Sequence, residues 1–201
     1  MTNSNQNIFN YYSKVKSKKV EWLWSPYIPS GKLTIIQGDP EEGKSTFILD
    51  IIARMTNGSC MPNSSKLNTK YSVVHQCFKD DISDTIKPRL EATGTDYSKV
   101  SYIIDENQLL SIDDDRIEQT IKATNSRLLV LDPLQSFLQE DMDNVGKIRS
   151  SLKNLIRITK KYNCAVVLIG HLNKNNTLKN IYRALGSIDI TSTARSVLLV
   201  E

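Results

Sequence analysis

A three-layer α/β fold, with a mostly parallel central sheet covered by helices on both faces, is predicted by three observations. Apolar, strand-forming runs alternate with stretches of helical spacing along nearly the whole chain, and parallel strands need such crossover segments. Gly38-Asp39-Pro40-Glu41-Glu42-Gly43-Lys44-Ser45 reads G-x-x-x-x-G-K-S, the phosphate-binding loop, and it falls between an apolar strand and a helix. That context is what the motif requires. The 201 residues suit one domain with a full core and would crowd two.

Residues 1–20 form a polar tail that turns basic at Lys14, Lys16, Lys18 and Lys19, read as a solvated charge run. Trp22, Trp24 and Tyr27, punctuated by Pro26 and Pro29, are expected to pack under the sheet edge, with covering a nucleotide base as the alternative. The domain proper spans residues 21–201. Its first strand is Leu33-Thr34-Ile35-Ile36, and Phe47, Ile48, Ile51, Ile52 and Met55 give the helix after the loop its apolar face, with Asn57-Gly58 as the stop.

Residues 59–70 are loop, and Tyr71 to Phe78 is a buried strand that ends at Lys79-Asp80-Asp81. A helix over 83–93 follows, interrupted by Pro88 and terminated by Gly94. Val100 to Ile104 is a short strand, and Ser111 is placed to cap a helix running to about Asn125. Arg127 to Asp132 is a strand with a carboxylate at its end; 144–162 is a long amphipathic helix; Ala165 to Ile169 is a buried strand ending in Gly170-His171. After the polar segment 172–180 come a short helical stretch over 181–194 and a strand over 197–200. Because the chain stops at Glu201 on a strand without a cap, the domain is expected to be incomplete at that end.

Composition narrows the classes. With 39% hydrophobic and 24% charged residues the chain is an ordinary globular protein, without a membrane-length apolar run or a secretory leader, so a cytoplasmic location is expected. Cys60, Cys77 and Cys164 match no metal-site spacing, and an odd count argues against a disulfide framework. A net charge of +4 permits a nucleic-acid partner without requiring one.

The chemistry is expected beyond the carboxyl ends of the strands. There the loop of residues 38–46, from Gly38 through Asp39, Pro40, Glu41, Glu42, Gly43, Lys44 and Ser45 to Thr46, is expected to cradle phosphates at a helix amino terminus with its backbone N–H groups, of which Pro40 has none. Lys44 neutralises the outer phosphates of ATP, while Ser45 and Asp132 hold its Mg2+. His171, at the tip of the next strand, is either a sensor of the outer phosphate or a plain turn residue.

Trp24 to Thr34, the loop through Thr46, Asp84-Thr85-Ile86-Lys87-Pro88-Arg89-Leu90, Gly170-His171-Leu172-Asn173-Lys174 and Ala194 to Val200 together resemble the RecA-like AAA-family ATPases of the RepA type. These are encoded on plasmids, phages and integrative elements and are similar to hexameric replicative helicases. The resemblance covers about residues 20–201. It implies a ring-shaped homo-oligomer such as a hexamer, with ATP between neighbouring subunits, whose loops grip single-stranded DNA during DNA replication.

It also implies a water-activating glutamate where this chain has Lys79. An ammonium with a reference pKa near 10.4 does not accept a proton at neutral pH. Asp80 is the stand-in, although on a strand the next residue points to the opposite face. Glu41 stands where the family commonly has glycine, and Arg183 and Arg195 are both candidates for an arginine acting in trans. The polar segment 173–180, with Lys174 and Lys179, occupies the place of the DNA-facing loop. Two main readings follow: a ring-forming helicase-type ATPase of a mobile element, or an oligomeric nucleotide-binding module with little or no hydrolysis. A recombinase or repair ATPase on the same core ranks third, and a small-molecule kinase below it for want of an arginine-rich lid.

Overall fold

The computed structural model of the chain describes residues 8–63, 69–105, 108–138, 145–171 and 188–201. Among them, β3 (Leu33–Gly38), β4 (Val73–Cys77), β5 (Val100–Ser101), β6 (Leu128–Asp132), β7 (Ala165–His171) and β8 (Ser196–Leu199) form one parallel sheet in the order β5-β4-β6-β7-β3-β8. Ahead of it, β1 (Trp22–Trp24) and β2 (Ile28–Pro29) make a small antiparallel hairpin.

Side chains alternate between the two faces of a strand. Ile35, Leu129, Leu131, Val166 and Leu168 therefore share one core with Ile117 and Ile121 of α3 (Asp115–Thr124) and Leu152 and Leu155 of α5 (Val145–Tyr162). Ile36, Val130, Val167 and Ile169 point the other way, into a core with Ile48, Ile51, Ile52 and Met55 of α1 (Lys44–Asn57) and Leu90 of α2 (Lys87–Ala92). Both faces are apolar because both are covered, which is the three-layer fold expected. Each fully buried Ile or Leu contributes about 1.5–3 kcal/mol relative to exposure, so the central strands are held from above and below.

Trp24 packs as expected rather than lying open. Its ring is 4.4 Å from that of Tyr27 and 5.8 Å from that of Phe47 on α1, and its indole N–H donates to the Pro62 carbonyl at 3.0 Å. The hairpin thus closes one side of the second core.

Several boundaries differ from expectation, each for a local reason. The helix after β5 starts at Asp115, not at Ser111: Asp114 is its cap, accepting the Arg116 amide at 2.9 Å, and Arg116 folds back onto the same carboxylate. Pro88 does not interrupt a helix but opens one. A wide π turn over Ile82–Ile86 is capped by Asp81, and Pro88 then sits in the first turn of α2, where its missing N–H costs nothing. Residues 102–104 leave the strand after Ser101, with Tyr102 and Ile104 exposed. Conversely, β3 and β7 run on to Gly38 and His171, paired in register. A short helix that periodicity does not flag, α4 (Leu134–Phe137), follows Asp132 and buries Phe137 against Phe78 at 4.6 Å. The last described helix is α6 (Ile188–Thr193).

Candidate nucleotide-binding site

Parallel strands bring all their carboxyl ends to one end of the sheet, and the neighbours β6, β7 and β3 place Asp132, His171 and Gly38 side by side there. Between β3 and α1 the loop turns tightly. Gly38 is needed because a Cβ would lie 2.5 Å from the Val200 carbonyl oxygen of the chain leaving β8. Gly43 caps α1 at φ 76, a left-handed value that glycine adopts freely, and its carbonyl accepts the Phe47 amide at 2.8 Å. The helix amino terminus therefore faces the cleft with its positive end.

The cleft has a volume of about 320 Å³, and its lining includes Gly43, Lys44, Ser45, Asp132 and His171. Lys44 is 4% exposed, and its ammonium donates to the Asp39 carbonyl across the loop. Burial lowers its pKa, opposed by the carboxylates of Asp132, Glu42 and Asp39. Ser45 Oγ donates to Asp132 Oδ2 at 2.8 Å, so residues 87 positions apart in sequence meet as one oxygen pair. Burial raises the pKa of Asp132, while the Ser45 hydrogen bond and the charges of His171 and Lys79 oppose that rise. A hydroxyl and a carboxylate beside a buried ammonium fit a magnesium ion on a polyphosphate: hard oxygen ligands, with room left for water.

His171 is half-buried on the same wall, and burial together with nearby Lys44 lowers its pKa, favouring the neutral ring. Its Nδ1 is buried without a hydrogen-bond partner among the described residues. Lys79 and Asp80 both line the cleft. The expectation that adjacent residues point apart does not apply to them, because β4 ends at Cys77 and the chain bends before they are reached. Asp80 Oδ2 accepts from Arg89 at 2.8 Å. Arg89 also lines the cleft, and sequence reasoning assigns it no role beyond its place in the resembling stretch. The available signal is an arginine on the helix that begins next to an acidic strand end.

Glu41 is exposed at the cleft mouth with φ 71, the left-handed conformation that suits the glycine commonly found there. Thr46 lines the cleft too, and Asp39 and Glu42 complete the loop, Glu42 N–H donating to the Asp39 carbonyl at 3.4 Å. Arg183 lies outside the described residues, as does the segment 173–180. Arg195 is exposed just before β8, its amide bound to the Leu33 carbonyl at the far end of the sheet from this chain's own loop.

This architecture has relatives. The KaiC-like protein PH0186 of Pyrococcus horikoshii OT3 superposes with a TM-score of 0.57 over 86% of this chain and 72% of that one, at 18% identity, which shows a shared RecA-like P-loop fold. DNA repair protein RadA of Halalkalibacterium halodurans is 26% identical over 155 residues, 75% of this chain and 30% of the relative. RadA of Streptococcus pyogenes serotype M3 is 28% identical over 152 residues, 74% and 29% respectively. The chain thus matches about 30% of the length of these curated relatives. The profile of the AAA_25 family, described as an AAA domain, matches residues 9–177, which include the phosphate loop, Asp132 and His171, and the chain therefore belongs to that family of AAA domains.

Proposed function

We propose that this chain is an ATP-binding RecA-like ATPase of a mobile genetic element, working as a ring-forming DNA helicase or helicase-like replication protein. The observation that carries the nucleotide part is the meeting of Ser45 Oγ and Asp132 Oδ2 at 2.8 Å beside buried Lys44. On this reading the loop amides and Lys44 hold the outer phosphates, and Ser45 and Asp132 hold the magnesium that ATP brings with it. Magnesium supplies charge neutralisation at the phosphates. Asp80 orients or activates water, with Arg89 fixing its direction, and His171 reports the outer phosphate to the segment that follows it. Arg183 or Arg195 completes the site of a neighbouring subunit in a ring on single-stranded DNA, with Lys174 and Lys179 as phosphate contacts.

The placement of Lys79 supports a second reading. Its side chain lines the cleft with Lys44 and Arg89, so three cations border the place for phosphates. Such a site favours retention of a triphosphate over proton abstraction from water. The chain then uses ATP to hold an oligomer together and turns it over slowly or not at all.

A steady-state ATPase assay with and without single-stranded DNA decides between them. DNA-stimulated turnover abolished by Lys44→Ala supports the enzyme. Tight binding without turnover, with turnover restored by Lys79→Glu, supports the binding module. No heat with any nucleoside triphosphate and magnesium rejects both.

A further inference from the structure

The amino ends of the parallel strands carry a second recess, at the opposite end of the sheet from the nucleotide cleft. Its volume is about 820 Å³, against about 320 Å³ for that cleft. One wall is the tail at Lys18 and Lys19; the other is Lys32, where β3 begins, and Lys160 in the last turn of α5. The six residues of β3 separate the two sites, roughly 20 Å at a rise of about 3.3 Å per residue.

The floor of this groove is tightly built. Ser30 N–H donates to the Glu21 carbonyl at 2.9 Å, which ties the tail to the start of β3. Asn163, just past α5, donates to the Glu21 carboxylate at 2.9 Å. Gly31 is left-handed at φ 64, and a Cβ there would lie 2.9 Å from Asn163 Oδ1, so glycine lets the turn close on Asn163.

Over that floor the charge is one-sided. Lys18, Lys19, Lys32 and Lys160 make no ion pair or hydrogen bond among the described residues, and Glu21, the one carboxylate in the lining, is already bonded to Asn163. Elsewhere cations are paired: Arg54 with Asp50, Arg89 with Asp80, and Arg157 and Lys161 with Glu118. Lysines gathered without counter-charges raise the local concentration of a polyanion. The lining also contains no aromatic side chain. Single strands are held by stacking on aromatic rings as well as by cations, whereas a duplex turns its bases inward and offers closely spaced phosphates.

We infer that this groove is a second nucleic-acid surface, one that holds the phosphate backbone of a duplex without reading its sequence. Lys18 and Lys19 contact phosphates from one side and Lys32 and Lys160 from the other, and Lys14 and Lys16 continue the track along the tail. The surface is separate from the single-strand contacts proposed for Lys174 and Lys179, and it does not rest on the nucleotide reading.

Fluorescence anisotropy of a labelled random-sequence duplex, titrated with the full chain without nucleotide at several salt concentrations, tests this. Four phosphate contacts are expected to weaken on the order of 100-fold between about 50 and 200 mM salt. Lys18→Ala/Lys19→Ala and Lys32→Ala/Lys160→Ala are each expected to weaken binding about tenfold or more and to lower the salt slope by about 2. Lys18→Arg/Lys19→Arg and Lys32→Arg/Lys160→Arg are expected to bind like the wild type. So is Lys87→Ala/Lys153→Ala, which removes as much charge from exposed positions away from the groove. A thermal melt of each variant checks the fold. A wild type that does not bind the duplex, groove variants that bind like it, a control pair that weakens binding as much as they do, or a single strand of equal length held more tightly overturns the proposal. Displacement of the duplex by ATP and magnesium also overturns it, since the duplex would then sit in the cleft, and so does equal displacement by polyglutamate, which would make the partner an acidic protein. Absence of heat with ATP in calorimetry, with duplex binding intact, rejects the nucleotide reading alone.

Discussion

The centre of the sheet and its β4–β5 edge are built under opposite constraints. β3 and β7 pair over six positions and β6 is buried throughout, whereas β5 is two half-buried residues long and the chain after it exposes Tyr102 and Ile104. Strands covered on both faces have no freedom in register, since a one-residue slip exchanges the two cores. A short edge strand has that freedom. The central strands hold the loop, Asp132 and His171 to one geometry, while the edge leaves aromatic and aliphatic side chains exposed.

Truncation inside and outside the centre draws the contrast most sharply. Leu129→Ala, at a fully buried position of β6, is expected to cost about 3 kcal/mol in denaturant unfolding. Tyr102→Ala, half exposed at the edge, is expected to change stability by about 0.5 kcal/mol or less. Equal costs at the two sites would erase the distinction.

Acid probes the seam between the regions, because His75 belongs to β4 and also walls an apolar cavity at the edge. Burial lowers its pKa to about 4 from an ordinary 6.5, with the Asp80 charge opposing. The folded state thus resists a proton that the unfolded chain accepts. Stability from the neutral ring is complete above about pH 6.5 and is lost as pH falls towards 4, about 3 kcal/mol in all. Unfolding free energy measured between pH 7 and 4 should show this slope, and His75→Gln should flatten it.

Two smaller effects belong to the nucleotide end. Asp132→Asn keeps the shape but removes the charge beside Ser45. It is expected to weaken magnesium-dependent ATP binding about tenfold, read by calorimetry, with little change in melting temperature. Glu41→Gly relieves a left-handed backbone and removes a carboxylate from the cleft mouth. A gain of about 0.5 kcal/mol in stability, after glycine's own entropic cost, and tighter ATP binding are expected together.

The loop, the helix after it and the strand ending in Asp132 are all legible in the sequence, because each is encoded by residues next to one another. Lys79 and Asp80 are legible as residues but not as directions. Their shared orientation follows from a bend after Cys77 that no periodicity records. Ser111 and Asp114 are both good cap residues in one acidic stretch, but only Ser111 is followed three residues later by a carboxylate, so the local pattern favours the wrong one of the two. Arg89 becomes a site residue only when α2 folds back against Asp80.

By itself the sequence determined the fold class, the phosphate loop and the alternation of elements, since strand and helix periods and loop chemistry act over a few residues. Only the tertiary structure decided that Ser45 meets Asp132, that Arg89 reaches Asp80, and that an apolar cavity opens under the sheet edge. The first joins residues 87 positions apart and exists only once burial of the two cores has chosen the strand order, whereas the second spans nine residues and waits on the turn that leads from β4 into α2.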